Sequence, residues 1–357
     1  MEESVEYYLE KGRAEKAAWN YYEAREAFTK AIEIDPTNAQ AYYERARAGG
    51  MGEGIEYYEK ALELDPNIGD AYWGIAEDYL RKGYPYEHII PVMMKHVSVN
   101  PNDPDVYRHR AIVYIWHKRY HHAIDDLSIA IAMDLQGNDN DYRERGLCYS
   151  WVWKYEEAIK DVSQAIKMNP ENPLSYDIRG ESYAKLHKFD LALQDLTSAI
   201  KIYEKIVEDM DDIVDAYTII TVESLIRCYA QRGMCYTEIC SYQEANDDFN
   251  TAIYLGEYYE IISIYIGLCY HKLGEHHKAI KLLDEAIYDR CRYDGCLSSD
   301  AFQFRGDSYE AIGELGKRDQ DYHTAKFIAH LEKNATENVF KQKYDRSTGT
   351  IIFNDAA

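Results

Sequence analysis

At 357 residues the chain is longer than one ordinary compact core, so two or three domains or an array of repeats are the starting expectations. A formal charge of −23, from 63 acidic and 40 basic side chains, disfavours nucleic acid and membrane surfaces as ligands. It favours a protein partner of basic or mixed-charge character. Hydrophobic residues at 46% exclude wholesale disorder, and only 8 prolines and 20 glycines suit long helices; the compositional anomaly is 35 tyrosines.

The N-terminus, MEESVEYYLEKGR, is acidic and already helical in pattern, without the apolar core of a secretion signal. The longest apolar stretch, Ile261 to Tyr270, falls short of the roughly 20 residues a spanning helix needs. Seven cysteines, an odd number, then read as free thiols in a reducing compartment, and a cytoplasmic location is expected.

From residue 5 onward the chain predicts helical hairpins. One small residue stands in the middle of each first helix: Gly12, Ala46, Ala76, Ala111, Gly146, Gly180, Gly233, Gly267 and Gly306. Their spacings are 34, 30, 35, 35, 34, 53, 34 and 39 residues. A second ladder marks the second helices: Ala31, Ala61, His96, Ala130, Ala165, Ala199, Ala252, Ala286 and Ala325. Three residues before each stands a large apolar side chain, from Phe28, Tyr58 and Met93 through Leu127, Val162 and Leu196 to Phe249, Leu283 and Tyr322. Two ladders in one register imply paired helices whose small residues permit close approach.

The departures are also positional. The second hairpin has lost four residues at Gly49-Gly50-Met51-Gly52 and is expected to turn tightly. The third has Ile89 and His96 where small residues are expected, with Pro85 and Pro91 nearby, and is the weakest by pattern. Pro36, Pro66, Pro101 and Pro170 are expected to end second helices, and Asp103-Pro104 and Asn172-Pro173 to start first helices as cap plus first-turn proline. Residues 204–225 form an apolar insertion, expected to lengthen the helices on either side. It divides an N-terminal array of about six hairpins (1–203) from a C-terminal array of about three (226–330). Residues 331–357 are expected to begin as a capping helix and to finish in the extended stretch Thr350–Phe353.

The fourth unit, DVYRHRAIVYIWHKRYHHAIDDLSIAIAMDL, and the sixth, LSYDIRGESYAKLHKFDLALQDLTSAIKI, share one pattern: an aromatic, three residues, Gly or Ala, two residues, Tyr, then Ala, three residues, a large residue, two residues, Ala. This pattern resembles the tetratricopeptide repeat (TPR) superfamily over about residues 5–330. The resemblance implies an all-α, right-handed solenoid of about nine hairpins. It implies a scaffold or adaptor that binds a protein segment in a concave groove, with no enzymatic activity and no cofactor. The alternative is a peptide- or metabolite-responsive regulator that changes shape on binding.

Helical phase places Trp73, Arg81, Arg108, His109, Trp116, Arg143 and Trp151 on the inner face, where aromatics and guanidiniums together could grip a carboxylate or stack on rings. The same side chains could equally pack on neighbouring helices and neutralise adjacent acids. The basic and amide clamp that chaperone adaptors of this family use is absent: Leu9, Arg13, Glu44, Asp70 and Gly74 occupy its places. His117, His121 and His122, and Glu275, His276 and His277, read as polar turn residues rather than metal ligands, and Cys291-x₄-Cys296 lacks a second pair. No phosphate loop, nucleophile elbow or zinc-protease helix is present. The acidic run Glu208–Asp215 reads as a solvated helix face, since it lacks the glycine turn of a calcium loop.

Overall fold

The computed structural model describes residues 4–49, 54–134, 137–209, 216–256, 260–293, 299–334, 342–345 and 350–353. Among them eighteen helices pair in chain order as nine antiparallel hairpins. The first three pair α1 (Val5–Ala17) with α2 (Tyr21–Ile34), α3 (Ala39–Arg47) with α4 (Ile55–Leu64), and α5 (Gly69–Arg81) with α6 (Tyr86–Val99). Next come α7 (Pro104–Trp116) with α8 (Tyr120–Met133), and α9 (Asp139–Trp151) with α10 (Tyr155–Met168). Then follow α11 (Pro173–Lys185) with α12 (Phe189–Glu208), and α13 (Ala216–Glu238) with α14 (Tyr242–Leu255). The last are α15 (Glu260–Lys272) with α16 (His276–Tyr293), and α17 (Ser299–Ala311) with α18 (Leu315–Asn334). The all-α expectation of about nine hairpins holds. The chain divides into two compact units, residues 1–168 with five hairpins and 169–357 with four.

The small residues do what their spacing implies. A methyl group added at Gly12 would lie 2.5 Å from the Phe28 ring, at Gly146 2.5 Å from Val162, at Gly180 2.9 Å from Leu196 and at Gly233 2.7 Å from Phe249. At Gly267 and Gly306 it would lie 2.6 Å from Leu283 and Tyr322. Each partner is the large residue of the second ladder in the same hairpin, so the two ladders meet at the helix crossing. Phe28, Val162, Leu196, Phe249 and Leu283 are fully buried there.

A second device recurs beside this crossing. The residue before the small one is arginine in six hairpins, and in five of them an aspartate sixteen positions later receives its guanidinium. Arg110 reaches both carboxylate oxygens of Asp126 at 2.7 Å, Arg179 those of Asp195 at 2.7 Å, and Arg232 those of Asp248 at 2.7 Å. Arg145 holds Asp161 at 2.6 and 2.9 Å, and Arg305 holds Asp321 at 2.8 and 2.7 Å. Planar forks of this kind fix orientation as well as charge. Aromatic rings three before and four after the arginine flank it, as Tyr107 and Tyr114 do for Arg110 at 5.7 and 5.9 Å and Phe302 and Tyr309 do for Arg305 at 5.3 and 6.0 Å. The third and eighth hairpins carry Ile75 with Val92 and Ile266 with Leu282 at the same places, packed in apolar clusters.

Each described turn between the paired helices closes on a left-handed residue seven positions after the small one. Gly83, Gly274 and Gly313 take φ of 69°, 80° and 81°, while Trp19, Lys118, Trp153, His187 and Cys240 take 56–64°. The next amide bonds back to the carbonyl of a residue five earlier, as Arg119 N does to Tyr114 O at 2.7 Å and Lys154 N to Tyr149 O at 2.9 Å, which stops the helix. The prolines act as expected at the other end. Asp35 and Asp65, each before a proline, are extended and follow the last helical residues Ile34 and Leu64. Asp103 and Asn172 cap α7 and α11, accepting from Asp105 N and Leu174 N at 2.9 and 3.1 Å, with proline in the first turn.

The tight turn expected at residues 49–52 of the second hairpin lies almost wholly outside the described residues, but the helices beside it are short. The hairpin's missing residues come out of the helices, so α3 and α4 have only 9 and 10 residues against 13 and 14 in α1 and α2. Glycine sustains helix poorly, and Gly49 and Gly54 stand just outside the ends of α3 and α4; residues 50–53 lie outside the described residues. The third hairpin is complete: α6 runs through Pro91 to Val99, and Ile89 and His96 are buried in place of small residues. Between the sixth and seventh hairpins, α12 and α13 reach 20 and 23 residues. After His330, α18 simply continues to Asn334. Thr350–Phe353 is extended and pairs antiparallel with Gln342–Asp345, a two-stranded addition to the helical array.

Candidate functional site

Trp73, Arg108 and Arg143 each stand three residues before the small residue of α5, α7 and α9, so successive first helices present them at one level. The structure brings four of the expected residues together: Arg108, His109, Trp116 and Arg143 line one groove of about 430 Å³ with Ile112 and Glu144. Trp73 joins from α5 by stacking face to face on His109, with ring centres 4.4 Å apart and planes 4° apart. Arg81 and Trp151 stand outside this lining. Arg81 is exposed and pairs with Glu77 at 2.5 Å, and Trp151 packs against Tyr120 with ring centres 4.6 Å apart.

Arg108 is occupied from within the chain, and Arg143 only in part, its Nε being buried without a hydrogen-bond partner. Arg108 donates from Nε to both oxygens of Asp141 at 2.9 Å, from Nη2 to Asp134 and Asp141 at 2.7 Å, and from Nη1 to Asp105 at 2.6 Å. The bond to Asp141 ties α7 to α9, and it raises the guanidinium's pKa above its already high ordinary value. Arg143 contacts Glu144 at 3.2 Å and Asp139 at 3.9 Å. The apolar floor has no such internal partner: Ile112 is 43% and Trp116 64% exposed.

Beneath the groove the rings continue inward. His109 stacks at 5.6 Å on His96, which stacks at 6.1 Å on Tyr72. His96 is 1% exposed, and burial, helped by the neighbouring His109, pushes its pKa down to about 4 against the opposing pull of Asp70 and Asp103. The unfolded chain, with an ordinary histidine near 6.5, therefore takes up the proton first as pH falls. The stability carried by neutral His96 is complete above pH 6.5 and is lost as pH falls to about 4, on the order of 3 kcal/mol at most. Urea titrations across that window are expected to show the loss, and His96→Leu to flatten it. An equally steep curve in the variant would assign the effect elsewhere.

Two features of this region escaped the sequence reading. Ile112 was passed over because a single aliphatic residue on an amphipathic helix carries no mark of exposure. The arginine–aspartate forks were legible in principle, as an Arg and an Asp sixteen residues apart recurring in phase with the ladders. His117 and His122 pack on Tyr86 and Tyr114 with ring centres at 5.5 and 5.1 Å. Among the described residues no group of three His, Cys, Asp or Glu side chains is arranged to hold a metal ion, and no helix is long and apolar enough to cross a membrane. Cys148, Cys228, Cys235 and Cys269 are free and buried, Cys240 is free and exposed, and Cys296 lies outside the described residues.

A tetratricopeptide repeat family model matches residues 5–38, 49–74 and 266–288. Comparison with curated proteins finds no match. Among solved structures, that of the APC/C hetero-tetramer Cut9–Hcn1 aligns with a TM-score of 0.53 at 14% identity, over 85% of this chain and 52% of that one. YrrB, described as a TPR protein with an unusual peptide-binding site, is 24% identical with a TM-score of 0.43, over 50% of this chain and 93% of its own. Yeast Tom70 is 18% identical with a TM-score of 0.45, over 88% of this chain and 61% of its own. Nine hairpins built on one small-to-large crossing, four of them overlapping the stretches that the family model matches, make the chain similar to tetratricopeptide repeat proteins in fold.

Proposed function

We propose that the chain is a protein-interaction module whose groove on α5, α7 and α9 takes up a segment of another protein. The observation that carries this reading is the contrast within the groove. Arg108 is held inside the chain by Asp134 and Asp141, while Ile112 and Trp116 stay 43% and 64% exposed on the same helix. Exposed aromatic and aliphatic side chains in a concavity, ringed by polar groups, are the usual makings of a binding hot spot. No chemistry beyond binding is asked of these residues.

The test is selection of a phage-displayed library of random peptides on the immobilised chain. Peptides retained by the wild-type protein are expected to lose roughly tenfold or more in affinity for Trp116→Ala combined with Ile112→Asp. Both side chains are exposed, so the variant's thermal unfolding is expected to match the wild type. Retained peptides that bind the double variant unchanged would move the site elsewhere.

A further inference from the structure

The groove's charges settle what its occupant carries, and the deciding quantity is which sign faces solvent. The Arg108 and Arg143 side chains are only 17% and 12% exposed. Around them Asp105 is 62%, Glu144 33%, Asp139 26% and Asp134 25% exposed. The groove lining sets Asp105, Asp141 and Glu144 against Arg108 and Arg143, and Asp134 and Asp139 pair with the same guanidiniums from beside it, so carboxylates outnumber the positive groups, which are the less exposed. His109 adds no positive charge near neutral pH, because burial lowers its pKa. An incoming carboxylate would have to displace an aspartate from Arg108, which already donates to three of them. An incoming ammonium or guanidinium meets carboxylate oxygens at the rim and the open face of Trp116, which also favours a cation.

We infer that the groove selects a basic segment of a partner protein: a Lys or Arg side chain set between Asp105 and Glu144, with an adjoining apolar side chain on Ile112 and Trp116. This rests on the groove reading above and adds the sign of the partner. The chain's net charge of −23 acts in the same direction at longer range, drawing a cationic segment toward it. The two sequence-derived arginines thus serve as internal counter-ions that let aspartates crowd the surface.

Synthetic copies of the retained peptides, followed by fluorescence anisotropy with the full chain, provide the test. The retained set is expected to be enriched in Lys and Arg beside aliphatic or aromatic residues, and raised salt is expected to weaken binding roughly tenfold. Asp105→Asn combined with Glu144→Gln is expected to weaken it by roughly tenfold as well, with Arg108 still held by Asp134 and Asp141. Acidic retained peptides, or basic ones indifferent to that pair of substitutions, would overturn the charge assignment. The groove reading survives either result if Trp116→Ala with Ile112→Asp still abolishes binding, and falls if it does not. A library from which nothing is retained counts against both.

Discussion

Arg305→Ala is expected to destabilise the last hairpin by about 3–5 kcal/mol, because it strands a buried carboxylate. The Arg305 side chain is 2% exposed and that of Asp321 4%, and they exchange two short bonds. Truncating the arginine leaves Asp321 without water or a counter-charge, whereas Asp284, its other carboxylate, is 45% exposed and resolvates cheaply. Since repeat arrays unfold in parts, the loss should appear as faster hydrogen exchange in α17 and α18 before any change elsewhere. Arg305→Ile combined with Asp321→Leu should restore most of the stability. The eighth hairpin already contains that solution, with Ile266 and Leu282 at the equivalent places. Buried ion pairs replaced as a unit by packed apolar groups are commonly neutral or better. A single variant costing under about 1 kcal/mol, or a double variant no better than the single, would refute the account.

Gly233→Ala is the second large effect, expected to cost about 1–3 kcal/mol through overpacking. The new methyl would lie 2.7 Å from the Phe249 ring, which is 0% exposed and has nowhere to retreat. The fourth hairpin shows how an alanine is accommodated: Ala111 there faces Leu127, a smaller and more pliable side chain than phenylalanine. Gly233→Ala with Phe249→Leu should therefore cost less than the two single changes added together. Urea unfolding of the four proteins gives the coupling directly, and strict additivity would mean that the two residues do not share the crossing.

How much of this was legible follows from what repeats. The ladder from Gly12 to Gly306 and the partner ladder from Phe28 to Tyr322 recur nine times in phase, so the hairpins could be read before any coordinates. Pro36, Pro66 and the Asp103-Pro104 and Asn172-Pro173 caps were equally plain, because proline geometry is local. The shortening of α3 and α4 was not legible. A deletion can be taken from loop or helix, and the propensity of no single position says which. At the groove, phase alone placed Arg108, His109, Trp116 and Arg143 together. It could not say that Arg108 is spent on Asp105, Asp134 and Asp141, because those aspartates come from three different stretches of chain. Nor could it reveal the stack of Trp73, His109, His96 and Tyr72, which depends on rotamers across two hairpins.

The arginine–aspartate forks have a consequence during synthesis, when nine similar hairpins emerge one after another. A first helix bearing the guanidinium that docks by mistake on the second helix of the eighth hairpin would bury its charge against Leu282. The Ile266 helix, mispaired with an aspartate-bearing neighbour, would leave a carboxylate stranded. Fork-bearing hairpins thus disfavour the partners of the uncharged ones, a bias against one class of swapped pairings, the characteristic error of repeat proteins.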